Sequence, residues 1–525
     1  GLAVHILALI VLALLGMLHP VSIVATFMAL SVASLVYLYH DPVGWNQFVK
    51  PFRMGRFEWL KVLPVLLVIL PWILRPLGPP YGMDALTYHL PYAQFYLDQG
   101  GLAVNENLRF PLHTHNVNLL YSVALLRPGT QLAQALHASM GFLALLGIYG
   151  IARHWYGWLA AILAVSGMLL LQEFRNSFSY AFADNGVLLY ATAAFLAMAL
   201  WAEIRQQRLL WFCALFAGTA MGSKYFGALF TIPLGLTLLW FSRDFKLLFR
   251  FAAVTAVFGL FWYLRSWWIS GNPVHPFAGD IFGHYLWNAS ELAGNLNELS
   301  SWGVDKTWKN FFLLPERVYS EIGSFNGAMG HVGVLLGAFY FSFVLTRFQK
   351  PIVLAIQITC LAYLLFWFWT SQVVRYLMLI VPLMSLSTVS AFSGAVSHLL
   401  PIRVLRTPAV NYSLLATVML AMGWAGVIQF RHDVATMPLT AESHAKILIR
   451  DLPAYELGLA ASADPRIGKG PLLQFQVPEI RYFFTGSVAG DWMGVHGWSK
   501  YGHVEAMGNW FIDDSATLYE KVTRE

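Results

Sequence analysis

Asp84 opens the run Gly82-Met83-Asp84-Ala85-Leu86-Thr87-Tyr88-His89-Leu90-Pro91. Beyond it Leu86, Leu90, Ala93 and Leu97 recur every three or four residues, so the spacing predicts an amphipathic helix with Asp84 at its N-cap. A carboxylate in that place either satisfies free backbone N–H groups or serves as an acid or base. Six further ionisable residues border apolar stretches: Glu173, Arg175, Asp184, Lys224, Arg265 and Arg375. Next to hydrocarbon each costs ~3 kcal/mol unless it faces protein or water. Singly, each could snorkel to a membrane surface. Together they imply one polar cavity holding both carboxylates and fixed cations.

Histidines cluster nearby, in Arg109-Phe110-Pro111-Leu112-His113-Thr114-His115. Residues at i and i+2 share a face only on a strand, and no carboxylate or Cys completes a tetrahedral metal set beside them. They are expected to face substrate or the interface. Cys213 and Cys360 sit inside apolar runs and read as packing residues.

The elements that must position these groups follow from composition. Of 525 residues 58% are hydrophobic and 11% charged, with a mean hydropathy of +0.58. A soluble chain of this length would carry about 25% charged residues. Disorder, a coiled coil and a disulfide scaffold are excluded, and a polytopic membrane protein remains. The net charge of +6 is scattered singly, with no basic stripe for nucleic acid. The first basic residue is Lys50, so the opening apolar run lacks a signal peptide's basic start and reads as a span.

Spans need about 20 mostly apolar residues. The candidates are 1–18, 21–39, 61–77, 131–152, 158–173, 186–203, 209–222, 227–242, 251–269, 330–346, 352–369, 376–398 and 409–430, which makes about 13 transmembrane helices. One set of alternate loops carries 14 basic residues, among them Lys50, Arg153, Arg205, Arg347 and Arg403, against 4 acids. That side is predicted to be cytoplasmic. The long segments 78–130, 173–185 and 270–329 and the tail then lie outside. Residues 431–525 hold 9 basic and 12 acidic residues, and Leu472 to Trp492 reads as short strands with turns at Gly486 and Gly490. The tail is expected to be a small α/β outer domain.

The order and sidedness of these motifs resemble the GT-C superfamily of membrane glycosyltransferases, which use polyprenyl-phosphate-linked sugars. Asp84 looks like the acid opening the family's long first outer loop, and Ala183-Asp184-Asn185 like the acid of its second. Gly222-Ser223-Lys224-Tyr225 looks like its lysine-bearing turn, Gly271-Asn272-Pro273-Val274-His275-Pro276-Phe277 like a bacterial loop motif, and Arg375-Tyr376 like its phosphate-binding arginine. The resemblance covers roughly 61–430, leaving 1–60 as an added hairpin and cytoplasmic loop and 431–525 as a variable periplasmic domain. One departure stands out. Many members have two adjacent acids in the first loop, whereas Asp84 lies between Met83 and Ala85, so a divalent metal is not supported and no cofactor is expected.

The resemblance implies an all-α GT-C fold and inverting sugar transfer at the outer face of a bacterial cytoplasmic membrane. Asp84 would be the base, with Asp184 as a second acid. Arg375, Lys224 and Arg265 would hold the donor phosphate, and Tyr88, His89, His113, His115 and Glu173 would contact substrate. The partners implied are a polyprenyl-phosphate sugar, membrane lipids and a lipid, glycan or protein acceptor. Burial beside Tyr88 is expected to raise the Asp84 pKa. The competing readings are an O-antigen ligase or polymerase-like enzyme and a transporter. A transporter would gather its charges near the midplane, whereas here they collect at one surface.

Overall fold

The computed structural model describes residues 1–40, 72–80, 82–321, 323–327, 331–399 and 440–467, with scattered positions in 63–69, 413–427, 472–489 and 502–512. About half of the candidate span 61–77 and most of 409–430 fall outside these residues.

Helices dominate the described chain. Six are long and apolar enough to cross a membrane: Pro20–Tyr37, Gln131–Tyr156, Asp184–Ile204, Tyr225–Ser242, Pro351–Thr370 and Val374–His398. Two bent pairs raise the number to eight: Trp158–Leu169 with Gln172–Ser179, at 78°, and Phe245–Gly259 with Phe261–Ser270, at 63°. Leu2–Leu14 and Val332–Phe348 are shorter apolar helices. The protein is a multi-pass membrane protein.

Asp184–Ile204 lies at the centre, packed on Gln207–Met221 and Gln131–Tyr156. Its many alanines, Ala191, Ala194, Ala197 and Ala199 among them, are buried. Apolar tails outside compete equally well for apolar side chains, so close backbone approach is what holds such helices together. Gly218 and Gly259 show this: a Cβ on either would run into the other helix's backbone, Gly218 against Thr255 and Gly259 against Gly218. The second bent pair breaks immediately after Gly259, a residue type at which helices kink.

The segment 78–130 folds as expected up to one detail. Leu90–Gln99 and Asn116–Ala124 pack together, and Leu86, Leu90 and Ala93 are fully buried. The turn Ala85–His89, however, is a π-turn. Pro91 lacks the N–H that would bond the carbonyl of Thr87, and the widened turn lies immediately before it. Asp84 has helical dihedrals and makes no capping bond, so the expected N-cap role is corrected. The carboxylate is turned elsewhere.

In the tail, Ala441–Asp451 and Pro453–Ala463 form a helical pair. Leu472–Leu473 pairs in parallel with Val488–Ala489, and Gly502–Val504 antiparallel with Trp510–Ile512. The expected strand run is interrupted by a helical turn, Ile480–Phe483, which supplies the crossover that parallel pairing requires. Leu452, Tyr482 and Phe483 pack on a cluster that includes Ala85, Leu86 and Phe182. The tail and the segment 78–130 therefore share one side of the molecule.

Candidate active site

Four distant segments meet at one polar cluster. The π-turn brings Asp84, and the entry to Val374–His398 brings Arg375; Arg375 Nη2 lies 2.7 Å from Asp84 Oδ2. The first turn of Asp184–Ile204 supplies Asp184, whose Oδ1 accepts from Lys224 Nζ at 2.9 Å. Side-chain exposures are 25% for Arg375, 18% for Lys224, 14% for Asp84 and 9% for Asp184. The cluster is thus shielded but keeps some exposure.

Each charge is held by its surroundings. Lys224 is extended between two helices, and Gly227 sits so close to the Ala220 carbonyl that a side chain there would collide with it. Asn116 fastens this turn to the segment 78–130: its N–H donates to the Gly222 carbonyl (3.1 Å), its Nδ2 to the Thr219 carbonyl (3.2 Å), and its Oδ1 accepts from Trp262 Nε1 (2.7 Å). The helix start at Asp184 is fixed by His137, whose Nε2 accepts from the Asn185 N–H at 3.1 Å. Arg375 follows a stretch in which the Val374 N–H donates to the Phe325 carbonyl at 2.9 Å. Its guanidinium lies 5.3 Å from the Phe182 ring centre and 5.1 Å from that of Tyr376, within cation–π range. Lys224 Nζ lies 4.8 Å from the Tyr376 ring, so one aromatic ring faces both cations.

Burial by itself would raise the Asp84 carboxyl. The Arg375 guanidinium, the Tyr88 hydroxyl hydrogen-bonded to Asp84, and the His89 and Lys224 charges outweigh it and hold the carboxyl well below the usual range. The expected rise is corrected: an ion pair favours the charged form more than burial opposes it. Burial pushes the His89 imidazole down to about 4, against the raising influence of Asp84 and Asn118.

The other expected site residues divide. Tyr88 and His89 belong to the cluster. His113 stacks on Phe110 at 4.3 Å and faces Tyr225 at 4.6 Å, with its Nε2 buried and unpartnered, so it lines the adjoining wall. His115 points away from it, bonded through Nδ1 to the Tyr96 hydroxyl at 2.6 Å among Tyr92 and Trp262. Arg265 stands apart, its guanidinium donating to the carbonyls of Pro111, Leu102 and Ala103 at 3.1–3.4 Å. Glu173 lies at the rim, near Gly327 and Tyr180. Sequence reasoning missed Asn118, whose Oδ1 bonds His89 Nδ1 at 2.9 Å; an uncharged amide gives no signal in an apolar chain. Among the described residues no three His, Cys, Asp or Glu side chains are grouped so as to hold a metal ion.

No protein-family model matches the sequence. An uncharacterized protein of Shigella flexneri is 31% identical over 158 residues, which span 30% of this chain and 79% of that protein. The chain belongs to that protein's family. A second uncharacterized Shigella flexneri protein is 24% identical over 201 residues, 37% of this chain and 96% of that one. Among solved structures, ArnT from Cupriavidus metallidurans in the apo state aligns over 82% of this chain and 86% of its own, at a TM-score of 0.55 and 14% identity. The same protein bound to undecaprenyl phosphate aligns over 90% and 89%, at 0.56 and 14%. This family member therefore shares the fold of ArnT.

Proposed function

We propose that this protein transfers a sugar from a polyprenyl-phosphate donor to an acceptor hydroxyl at the outer face of the cytoplasmic membrane. The observation that carries this reading is the pairing of two carboxylates with two cations, Asp84 with Arg375 and Asp184 with Lys224, on a fold shared with an undecaprenyl-phosphate-bound protein. The acceptor oxygen attacks the anomeric carbon as the bond from that carbon to the phosphate oxygen breaks. The electron pair leaves with the phosphate, and the hydroxyl proton passes to Asp84. In-line attack inverts the anomeric centre. Charge developing on the phosphate is met by Arg375, which can grip two oxygens, and by Lys224 as a point charge.

The ion pair adds a requirement of order. While Arg375 holds Asp84 the carboxylate is a weak base. A donor phosphate drawing Arg375 away frees the carboxylate, so the base gains strength only once the leaving group is seated.

This reading carries about 13 spans, a GT-C module over 61–430, an added hairpin in 1–60, and a periplasmic α/β domain in 431–525. The packing of Leu452 and Phe483 against the π-turn cluster supports a tail on the side of the site. No cofactor is invoked. Arg375→Lys tests the reading, because it keeps charge and loses the two-pronged grip. Donor KM should rise and kcat fall in a correctly inserted protein. Unchanged donor kinetics would move the phosphate elsewhere.

A further inference from the structure

His89 and Asn118 each carry an orphaned polar atom next to the charged cluster. His89 is 6% exposed and Asn118 1%. They satisfy each other once, through Nδ1 and Oδ1 at 2.9 Å, and each keeps a second polar atom, His89 Nε2 and Asn118 Nδ2, shielded from solvent with no partner among the described residues. A purely structural pair would bury both at a loss, since an unmade buried hydrogen bond costs about 1–3 kcal/mol. An isosteric apolar pair would avoid that. Burial holds the imidazole neutral, so with Nδ1–H donated to Asn118, Nε2 presents a lone pair and Nδ2 presents hydrogens. One free acceptor beside one free donor matches neighbouring hydroxyls on a sugar ring.

Resting on the function proposed above, we infer that His89 and Asn118 form the subsite for hydroxyl groups of the transferred sugar. The placement follows from the chemistry of the donor. Its anomeric carbon is one oxygen away from the phosphate, so a phosphate on Arg375 and a base at Asp84 set the ring against the wall between the two carboxylates. His89 lies within electrostatic reach of both Asp84 and Asp184. The Tyr88 ring, 4.4 Å from the imidazole, and Phe182, 6.2 Å away, supply apolar flanks. Both hydroxyl contacts are made in the ground state, so they select which sugar binds.

The test compares the binding of undecaprenyl phosphate with that of undecaprenyl phosphates carrying glucose, galactose, mannose or arabinose. Wild type, His89→Phe and Asn118→Leu are each measured by native mass spectrometry in detergent. Wild type should bind at least one sugar-bearing lipid more tightly than undecaprenyl phosphate. Each variant should lose about 10-fold or more of that excess, the penalty of an unmade hydrogen bond to a sugar hydroxyl, while its affinity for undecaprenyl phosphate stays within about 2-fold. Equal weakening of both lipids would make the pair a support for the Asp84 turn and overturn the inference. So would full retention of the sugar-dependent excess, or its absence from wild type. Failure of wild type to bind any of these lipids would instead sink the underlying function.

Discussion

Arg375 Nη2 stands 2.7 Å from Asp84 Oδ2, while the guanidinium's Nε is buried without a partner among the described residues. The arginine is thus only partly satisfied by the carboxylate it holds. A phosphate offers more acceptor oxygens than a carboxylate and forms short, charge-assisted bonds with a guanidinium. The relation between these two residues governs both the strength of the base and the readiness of the anion site.

Asp84→Asn should therefore have opposite effects on chemistry and binding. Turnover should fall by ~10² or more, as expected for loss of a general base. Affinity for undecaprenyl phosphate should rise, because Arg375 no longer has a competing anion. Thermal stability should drop by roughly 1–3 kcal/mol, less than the loss of a fully buried pair, because both side chains retain some exposure. Weaker phosphate binding in this variant would mean that Asp84 organises Arg375 rather than competing for it.

Asp184 and Lys224 should behave as a unit. Each of Asp184→Leu and Lys224→Met leaves a shielded charge unmatched, and each should lower the melting temperature. The double variant should be more stable than the sum of the single effects implies, because neither charge is then left alone. Strict additivity would show that the 2.9 Å contact contributes no coupling.

Arg265 is expected to matter for folding rather than for the donor. Its guanidinium ties three carbonyls of the segment 78–130, so Arg265→Gln should reduce thermal stability. Donor KM, measured well below the melting temperature, should stay within about 2-fold, since binding contacts made in ground and transition state alike appear in KM. A large donor-specific KM increase would restore the phosphate role first expected of it.

Acid should weaken the site through His89. Its folded pKa, about 4, lies below the unfolded value, so between about 6.5 and 4 the unfolded chain binds more protons and stability rises with pH. Cooling of the melting temperature between pH 7 and 5.5 should be smaller in His89→Phe, by the equivalent of ~1 kcal/mol. His113 and His115, also pushed down by burial, would preserve the remainder of the slope. An identical slope in the variant would show that His89 takes up protons alike in the folded and unfolded chain.

The charged members of the cluster were legible because charge is expensive in an apolar chain. Asp84, Asp184, Lys224 and Arg375 each announce a compensating partner, and a common side for all four implied a common cavity. What the sequence could not show is which partner each one takes. An arginine that grips carbonyls, as Arg265 does, has the same signature as one that awaits phosphate. His113 and His115 look equivalent in sequence, yet the turn between them sends one to the wall and the other to Tyr96. Asn118 was silent because amides carry no charge. Pro91 was visible, but its effect on the turn before it emerged only with the backbone. The 78° bend between Leu169 and Gln172 follows Ser166-Gly167, a pair type at which helices kink, but it falls inside the apolar run 158–173, which reads as one span.

The most direct measurement is a density map of the protein in a lipid nanodisc with undecaprenyl phosphate. The account predicts the phosphate within hydrogen-bond distance of the Arg375 guanidinium and close to Lys224, with the Asp84–Arg375 contact opened and the carboxylate facing the space where an acceptor hydroxyl would enter. A phosphate seated away from Arg375, or a lipid-bound state with the 2.7 Å pair intact, would contradict it.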